Sequence, residues 1–382
     1  MIVRNEFLPD SRVFNEAKAL QSLGYNVQIL AVRYDASLSG FEVMDGLPVH
    51  RVLLNSDPLL ADFSSPMYHG VTIPLIAKAA LRLECDIYHC HDLYTLPAGI
   101  WIRLLRGKSI IYDAHEPSYA SLFSYVEGTL PSRVRWFIGE VSERFLSKFV
   151  SSFIVTTESA RATKGRAGSM YTVPYRPDPQ YFHPENRDEN LERLYARHKT
   201  ILYIGSLNEK KGLYEMLGAL SLLKSKISEI KLIILGRLYV YEDISNVLKR
   251  YSIEDHVEIH PWVPYWDVPK YINASTLGVI PIHSDVRSYQ MAMPNKLLDF
   301  MSCGVPVVCS ALPEMKKIVE ETGCGIVVDE LSAQSLSAAI QDMLDSDLEV
   351  YSTNALRAAS RQFNFEDMVS ALRDVYEDLQ ER

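Results

Sequence analysis

The 382-residue chain is long enough for two domains of ordinary size, and its 47% hydrophobic and 23% charged residues are those of a soluble globular protein. A formal net charge of -9 argues against general nucleic-acid binding, which needs a basic face. The five cysteines (Cys85, Cys90, Cys303, Cys309, Cys324) form no CxxC pair and no His/Cys cluster at metal spacing, as expected of reduced thiols in a cytoplasmic protein, and the sequence shows no signal peptide, no apolar run of transmembrane length and no repeat.

Residues 1–3 are a stub of an apolar strand. Asp10 or Ser11 can cap a helix beginning at Arg12, with Val13, Ala17 and Leu20 as its apolar stripe and Gly24 as its end. Residues 26–32 form the next strand, so the chain opens as a Rossmann-like unit. It lacks G-x-G-x-x-G, and a dinucleotide cofactor is not expected. Strands follow at 48–54 and 86–92, with a helix at 73–83 between them. Side chains alternate along a strand, so His89 and His91 share one face and Cys90 opposes them. Two histidines and Asp92 at a strand end stand where open α/β sheets bind ligands. As a metal site they lack a third ligand at suitable spacing nearby, and no metal is expected.

Residues 109–117 are a further strand and loop, ending in His115 and Glu116 at the same sheet edge as His91. Segment 130–149 is helical and mixes Arg133, Arg135 and Lys148 with Trp136 and Phe137. Two readings stand for it. One is peripheral contact with an anionic membrane surface, against which Glu140 and Glu143 count. The other is packing on the sheet through Phe137, Val141 and Phe145. A strand at 152–157 and a helix at 158–166 lead to 171–179, where three prolines in six residues mark an ordered linker.

The second half opens with an apolar strand from Thr200 that runs into Gly205-Ser-Leu-Asn-Glu-Lys-Lys-Gly212 and a helix from Leu213. Exposed backbone N–H groups, a helix start and Lys211 make a phosphate-binding geometry. Strands at 230–235, ending in Gly236, and at 276–282 follow. Residues 291–308 then give a loop, a helix and a strand. Pro294 suits the first helical position, Leu297, Leu298 and Met301 recur at helical spacing, and Gly304 stops the helix. Lys296 and Asp299 lie three apart near the helix start, as a phosphate-and-sugar site or as a plain solvated ion pair. A helix with Met368, Leu372 and Tyr376 on one stripe closes the chain.

The run Pro294-Asn-Lys-Leu-Leu-Asp-Phe-Met-Ser-Cys-Gly-Val-Pro-Val-Val308 resembles the C-terminal-domain signature of family 4 glycosyltransferases, P-N-K-L-x-E-Y-M-x-x-G-x-P-V-V. Asp10-Ser-Arg-Val resembles the D-x-R-V start of the first helix in one subgroup. Residues 86–92 resemble its D-x-x-H-x-H-[DE] segment, 112–116 its Y-D-x-H-E segment, and 205–212 the family's G-R-L-x-x-x-K-G. In that family three or four more residues precede the first strand, so either the start is late or the strand is short.

The resemblance implies an α/β chain of the GT-B fold, with two Rossmann-like doubly wound domains facing across a cleft. Residues 1–174, completed by the helix 364–382, would be the acceptor-side domain and 175–363 the nucleotide-sugar domain. It implies transfer of a sugar from a UDP- or GDP-sugar to an acceptor hydroxyl, retaining and without metal or cofactor, in cell-envelope or exopolysaccharide synthesis. The acceptor would be a glycan or a lipid-linked glycan, and the protein would sit in the cytoplasm or at the inner face of the membrane. His91 would lie beside the transferred sugar. Lys211 would clamp the diphosphate, with Gly205, Ser206 and Gly236 approaching it through the backbone. Val263 would meet the base, Asp299 the ribose, and Met293, Asn295 and Lys296 the phosphate or sugar. Arg12, His115 and Glu116 are acceptor- or sugar-side candidates. Three residues depart from the pattern. Ser206 replaces an Arg, for which Lys210 or Arg287 could substitute; Met291 replaces a sugar-binding Glu; and Tyr175 replaces a linker Asn. Two other readings stay open. One is an epimerase or hydrolase on the same fold, with Glu116 as its acid/base candidate. The other is a noncatalytic binding protein, to which Ser206 and Met291 would point.

Overall fold

Short apolar strands alternate with helices along the whole chain, the pattern that forces parallel pairing with helices covering both sheet faces. The computed structural model describes residues 1–8, 10–54, 66–115, 132–157, 169–239, 242–285, 287–290 and 295–381. In chain order the elements begin with α1 Ser11–Ser22, β1 Ile29–Arg33, β2 Phe41–Met44, β3 Leu47–Leu53, α2 Pro66–Leu81, β4 Ile87–His91, α3 Leu96–Arg106, β5 Ser109–Ala114, α4 Ser132–Leu146, β6 Ser152–Val155 and β7 Ser169–Thr172. There follow α5 Glu189–Tyr195, β8 Lys199–Ile204, α6 Leu213–Leu223, β9 Ile230–Leu235, α7 Ile244–Tyr251, β10 Val257–His260, α8 Val268–Asn273 and β11 Leu277–Ile280. The chain ends with α9 Arg287–Gln290, α10 Asn295–Ser302, β12 Val307–Ser310, α11 Pro313–Thr322, β13 Gly325–Val328, α12 Ala333–Asp345, α13 Leu348–Arg361 and α14 Phe365–Gln380. The chain divides into two units, Met1–Tyr175 with Glu366–Arg382, and Arg176–Phe365.

In the first unit, the strand orders β2-β3-β1 and β4-β5-β6-β7 are joined by one residue. Ile2 bridges Leu30 of β1 and Cys90 of β4, both in parallel, with its N–H on the His89 carbonyl (2.7 Å) and its own carbonyl accepting from His91 N (3.0 Å). The expected first strand is therefore a single bridging residue. Successive strands are laid down on either side of it, so the strand order reverses at Ile2, where such sheets leave a crevice beyond their C-terminal ends. The exit of β4 at His91 and the exit of β5 at Ala114 meet that crevice. β2 is an addition to the strands expected from sequence. Asp45 and Gly46, both at positive φ (47° and 78°), close an antiparallel hairpin with β3, as an Asp-Gly pair does in a tight turn.

Two readings of the sequence are corrected here. Tyr171 and Thr172 belong to β7, paired in parallel with Ile154 and Val155, and are not part of the linker. The chain leaves the sheet only where the prolines begin. The helix α4 does not pack on the sheet through Phe137, Val141 and Phe145, which are 65%, 49% and 58% exposed. Its buried side carries Gly139 and Glu143, and Glu143 Oε1 accepts a 2.7 Å hydrogen bond from the buried Tyr112 hydroxyl. The helix expected at 158–166 lies outside the described residues. The C-terminal α14 packs on this unit through Met368, Leu372 and Tyr376, and Tyr171 Oη donates to Asp378 (2.8 Å).

The second unit has one parallel sheet, order β10-β9-β8-β11-β12-β13. Its inner strands carry apolar runs buried on both faces, such as Leu232–Leu235 and Val307–Val308, while the edge strands β10 and β13 are only partly buried. Order reverses between β8 and β11, so the loops leaving those two strands flank the crevice. The approach is tight: a Cβ on Gly212, at the start of α6, would meet the Pro281 carbonyl oxygen just past β11 at 2.0 Å. Among the described residues no helix is long and apolar enough to cross a membrane.

Candidate functional site

At the reversal point of the first unit, a group of polar side chains is buried. Asp10 caps α1 by accepting from Arg12 N and Val13 N, which sets Arg12 in the first turn with its side chain turned inward. One turn on, Glu16 follows on the same face. Arg12 Nη2 lies 2.9 Å from Glu16 Oε1, and donates to Asp113 Oδ1 (3.1 Å) on β5 and to the Val173 carbonyl (3.3 Å). His89 and His91 stack face to face, ring centroids 4.4 Å apart. His89 Nδ1 is 3.1 Å from the Tyr376 hydroxyl of α14, and His91 Nδ1 is 2.9 Å from His115 Nε2. His115 Nε2 also reaches Asp113 Oδ2 at 3.1 Å.

Burial and pairing divide the charges here. Burial would push Asp113 up, but Arg12 and then His115 hold its carboxyl well below the ordinary value. Burial pushes Glu16 up to about 8, with Arg12 opposing and Asp113 adding. His115 rises to about 9, because Asp113 and Asp92 outweigh its burial. Burial lowers both His89 and His91, so the stacked pair is neutral.

Glu16, His89, His91 and Asp113 bring one ligand-type atom each within 4.8 Å of one another. The third and fourth partners that the sequence lacked near the two histidines thus arrive from α1 and β5. Yet Arg12 Nη2 already lies against both carboxylates, and a divalent cation would have to displace it. The cluster carries its own cation.

In the second unit, the loop Gly205–Gly212 is shaped by backbone. Gly205 (φ 106°) donates to the Leu235 carbonyl at 2.8 Å. A Cβ on Gly236 (φ 145°) would lie 2.3 Å from the Gly205 oxygen, so the loops after β8 and β9 meet main chain to main chain. Asn208 caps the turn Glu209–Lys211 through Lys211 N (3.0 Å), and Lys211 Nζ donates to Ser206 Oγ at 2.6 Å. Lys296 reaches across from α10. Its Nζ donates to the Ile204 carbonyl (2.7 Å), lies 4.3 Å from the Tyr203 ring centroid, and would sit 3.6 Å from a Cβ on Gly205. Burial and then Lys211 push its ammonium down to about 7, against Asp299. Asp299 is buried one turn further along α10.

Ser206, Lys211, Lys296, Gly205 and Gly236 are thus gathered at one strand-order reversal. Asn295 opens α10 half-buried, and Val263 is half-buried in the loop after β10. Of the two cations considered as substitutes for the Arg absent at 206, Lys210 is on the surface with Asp285 (2.5 Å). The Arg287 side chain, Met291, Met293 and Glu116 lie outside the described residues. The ammonium that does adjoin Gly205 is that of Lys296. In the first unit, Arg12, His91 and His115 are brought together with Glu16, Asp113 and Tyr376, which sequence reasoning missed. Glu16 had a signal, four residues after Arg12 on a helix; so had Asp113, two before His115 on a strand.

Residues 10–173 match the family described as glycosyl transferase 4-like domain, and residues 185–362 the family described as glycosyl transferases group 1. The chain is 28% identical over 179 residues to O-antigen chain mannosyltransferase B of Escherichia coli, covering 46% of this chain and 45% of that protein. It is 24% identical over 163 residues to the amylovoran biosynthesis glycosyltransferase AmsK of Erwinia amylovora, covering 42% and 40%. These matches span less than half the length of those relatives. A match at 23% identity to the D-inositol 3-phosphate glycosyltransferase of Thermobispora bispora covers 96% of this chain and 88% of that protein. Among solved structures, sucrose-phosphate synthase from Thermosynechococcus elongatus superposes with a TM-score of 0.75 at 17% identity, covering 100% and 98% of the two chains. HepE of Anabaena, in complex with UDP and glucose, superposes at 0.72 and 14% identity, covering 98% of each. The fold is GT-B.

The buried charges predict a pH dependence of stability. His115 has a folded value of about 9 against an ordinary 6.5, so its contribution is complete below about pH 6.5 and is lost as pH rises through 9. Glu16, raised from 4.5 to about 8, acts in the same direction, its contribution fading as pH climbs through that value. Unfolding by urea should therefore show stability falling between pH 6.5 and 9, by at most about 3–4 kcal/mol from His115. In His115→Gln the fall should shrink to the Glu16 part. Parallel curves for the two proteins would contradict the assignment.

Proposed function

Because the chain belongs to the glycosyl transferases group 1 family, we propose that it moves a sugar from a nucleoside diphosphate sugar, UDP- or GDP-linked, to an acceptor hydroxyl. The observation that carries this reading is the pair of ammonium groups, Lys211 and Lys296, beside the side-chain-free approach of Gly205 and Gly236. A diphosphate fits such a place. The start of α6 lies next to it, and two cations that repel each other in the free protein gain a common counter-charge. Asp299, beyond Lys296 on the same helix, takes the ribose hydroxyls, and Val263 lies against the base.

In the proposed reaction the bond from the anomeric carbon to the diphosphate oxygen breaks. The acceptor oxygen bonds to that carbon on the same face, and the acceptor proton leaves with the diphosphate. Lys211 and Lys296 stabilise the charge that develops on the leaving group, so positioned cations do the work a metal would otherwise do. His91 holds a sugar hydroxyl and does not act as nucleophile. The relatives named for O-antigen and amylovoran synthesis support a cell-envelope or exopolysaccharide glycan as the product class.

A lipid-linked acceptor would bring the protein to a membrane, and α4 supports this. Val134, Phe137, Ile138, Val141 and Phe145 recur at helical spacing and all are exposed, as are Leu104 and Leu105 of the neighbouring α3. The exposed Arg103, Arg106, Arg144 and Lys148 lie on or next to these helices. An apolar stripe with cations suits the surface of an anionic bilayer.

Two measurements test the reading. In a thermal-shift screen without added metal, one of UDP, GDP, ADP or CMP should raise the melting temperature, since a ligand bound only by the folded state stabilises it. In Lys211→Ala the dissociation constant for that nucleotide should rise about 10- to 100-fold, the loss of roughly 1.4–2.7 kcal/mol. Unchanged binding would remove the phosphate role. In sedimentation with vesicles, the protein should pellet with phosphatidylcholine containing phosphatidylglycerol and not with phosphatidylcholine alone. The double variant Phe137→Ser, Phe145→Ser should stay in the supernatant. Pelleting unaffected by the two substitutions would rule out α4 as the contact.

A further inference from the structure

The hydrogen positions around His91 follow from its neighbours. His115 Nε2 stands 3.1 Å from Asp113 Oδ2 and 2.9 Å from His91 Nδ1. Asp113 is ionised against Arg12, and a carboxylate only accepts. His115 Nε2 therefore carries a hydrogen. That N–H also faces His91 Nδ1, and two N–H groups opposed at 2.9 Å would repel. His91 Nδ1 is accordingly the lone-pair nitrogen. Burial keeps the His91 ring neutral, so its one hydrogen lies on Nε2. The alternative, an Nδ1–H donating to Asp113 Oδ2, would have to span 3.4 Å and meet the His115 N–H on the way.

The ring is also held in place. Its face is stacked on His89, which is itself anchored at Nδ1 by Tyr376. The His91 main-chain carbonyl accepts from Thr95 Oγ1 at 2.7 Å. Turning the ring over would put a C–H against His115. His91 Nε2 is meanwhile buried and without a hydrogen-bond partner among the described residues. A buried donor left unpaired is costly, and in a site it marks where a ligand atom belongs.

We propose that His115, backed by Asp113, is a positioning residue that fixes His91 as the Nε2–H tautomer, so that His91 offers its ligand a hydrogen-bond donor and never a base. The matching ligand atom is an acceptor oxygen, a hydroxyl or anionic oxygen of the sugar donor. The identity of that oxygen rests on the transfer reaction proposed above; the tautomer does not. On this view His115 does not itself touch the reacting atoms. It sets the direction of one hydrogen bond, as the partner of a neutral imidazole generally does.

The test is long-range proton–nitrogen correlation NMR on full-length protein labelled with 15N-histidine, at neutral pH, with His91→Gln used only to assign the His91 signals. The expected wild-type spectrum shows a protonated Nε2 and a bare Nδ1. In His115→Leu the Nδ1–H form should appear, because Asp113 becomes the nearest group able to orient the ring. In His115→Gln, whose amide N–H can still donate to Nδ1, the wild-type tautomer should persist. Where transfer is measured, His115→Leu should lower kcat with little change in donor KM, and His115→Gln should recover most of the loss. A wild-type spectrum with Nδ1–H or with both nitrogens protonated would overturn the proposal, and that observation needs no folded variant. So would an Nε2–H form unchanged in His115→Leu. Absence of nucleotide binding would count against the transfer reaction alone and would leave the tautomer result intact.

Discussion

Asp113 keeps a negative charge in a place where burial alone would neutralise it, and Arg12 is the reason. The guanidinium is set by its position in the first turn of α1, which the Asp10 cap fixes. Its Nη2 bridges Glu16, Asp113 and the Val173 carbonyl, and so ties α1, β5 and the exit of β7 together. Asp113 then holds His115 as an imidazolium, and His115 orients His91. A chain of single contacts, each dependent on the one before, runs from the helix cap to the histidine. Removing one partner of such a buried pair typically costs about 3–5 kcal/mol, because the other charge is left unpaired.

The second unit solves a different problem by different means. Its crevice is made of backbone that approaches backbone, at Gly205 and Gly236, where no side chain intervenes. Lys211 is held by its turn and by Ser206, and Lys296 by a carbonyl and an aromatic face. Ser206, which replaces an arginine of the related pattern, accepts from Lys211. The ammonium that adjoins Gly205 comes from α10, from Lys296, a residue distant in sequence. Burial, and after it the neighbouring Lys211 ammonium, pushes Lys296 down to about 7. A site in that state gains from an arriving anion more than a neutral one would.

Local signals carried much of this into the sequence. The cap and stripe of α1, the His-x-His strand, the glycine-bounded loop before α6 and the helix after Pro294 were all legible, because each depends on spacing within a few residues. What could not be read locally was partnership. Glu16 and Asp113 meet His89 and His91 only when α1 and β5 are folded beside β4. Ile2 acts as a strand only because β1 and β4 supply both its neighbours. The apolar spacing of α4 was visible, but periodicity reports a stripe and not what covers it, and Phe137 and Phe145 proved exposed. The β2–β3 hairpin has a signal of its own in Asp45-Gly46, an Asp-Gly pair at a tight turn. Tyr171 and Thr172, an aromatic and a β-branched residue, suit a strand, but the prolines that follow directly obscure where the strand ends.

The most direct test of the central claim is a crystal structure of the protein with UDP and with GDP. The account predicts a diphosphate at the strand-order reversal of the second unit, its oxygens contacting the main chain at Gly205 and the ammonium groups of Lys211 and Lys296, with the ribose on Asp299. A diphosphate held elsewhere, or at that reversal but with Lys211 and Lys296 turned away from it, would contradict the account.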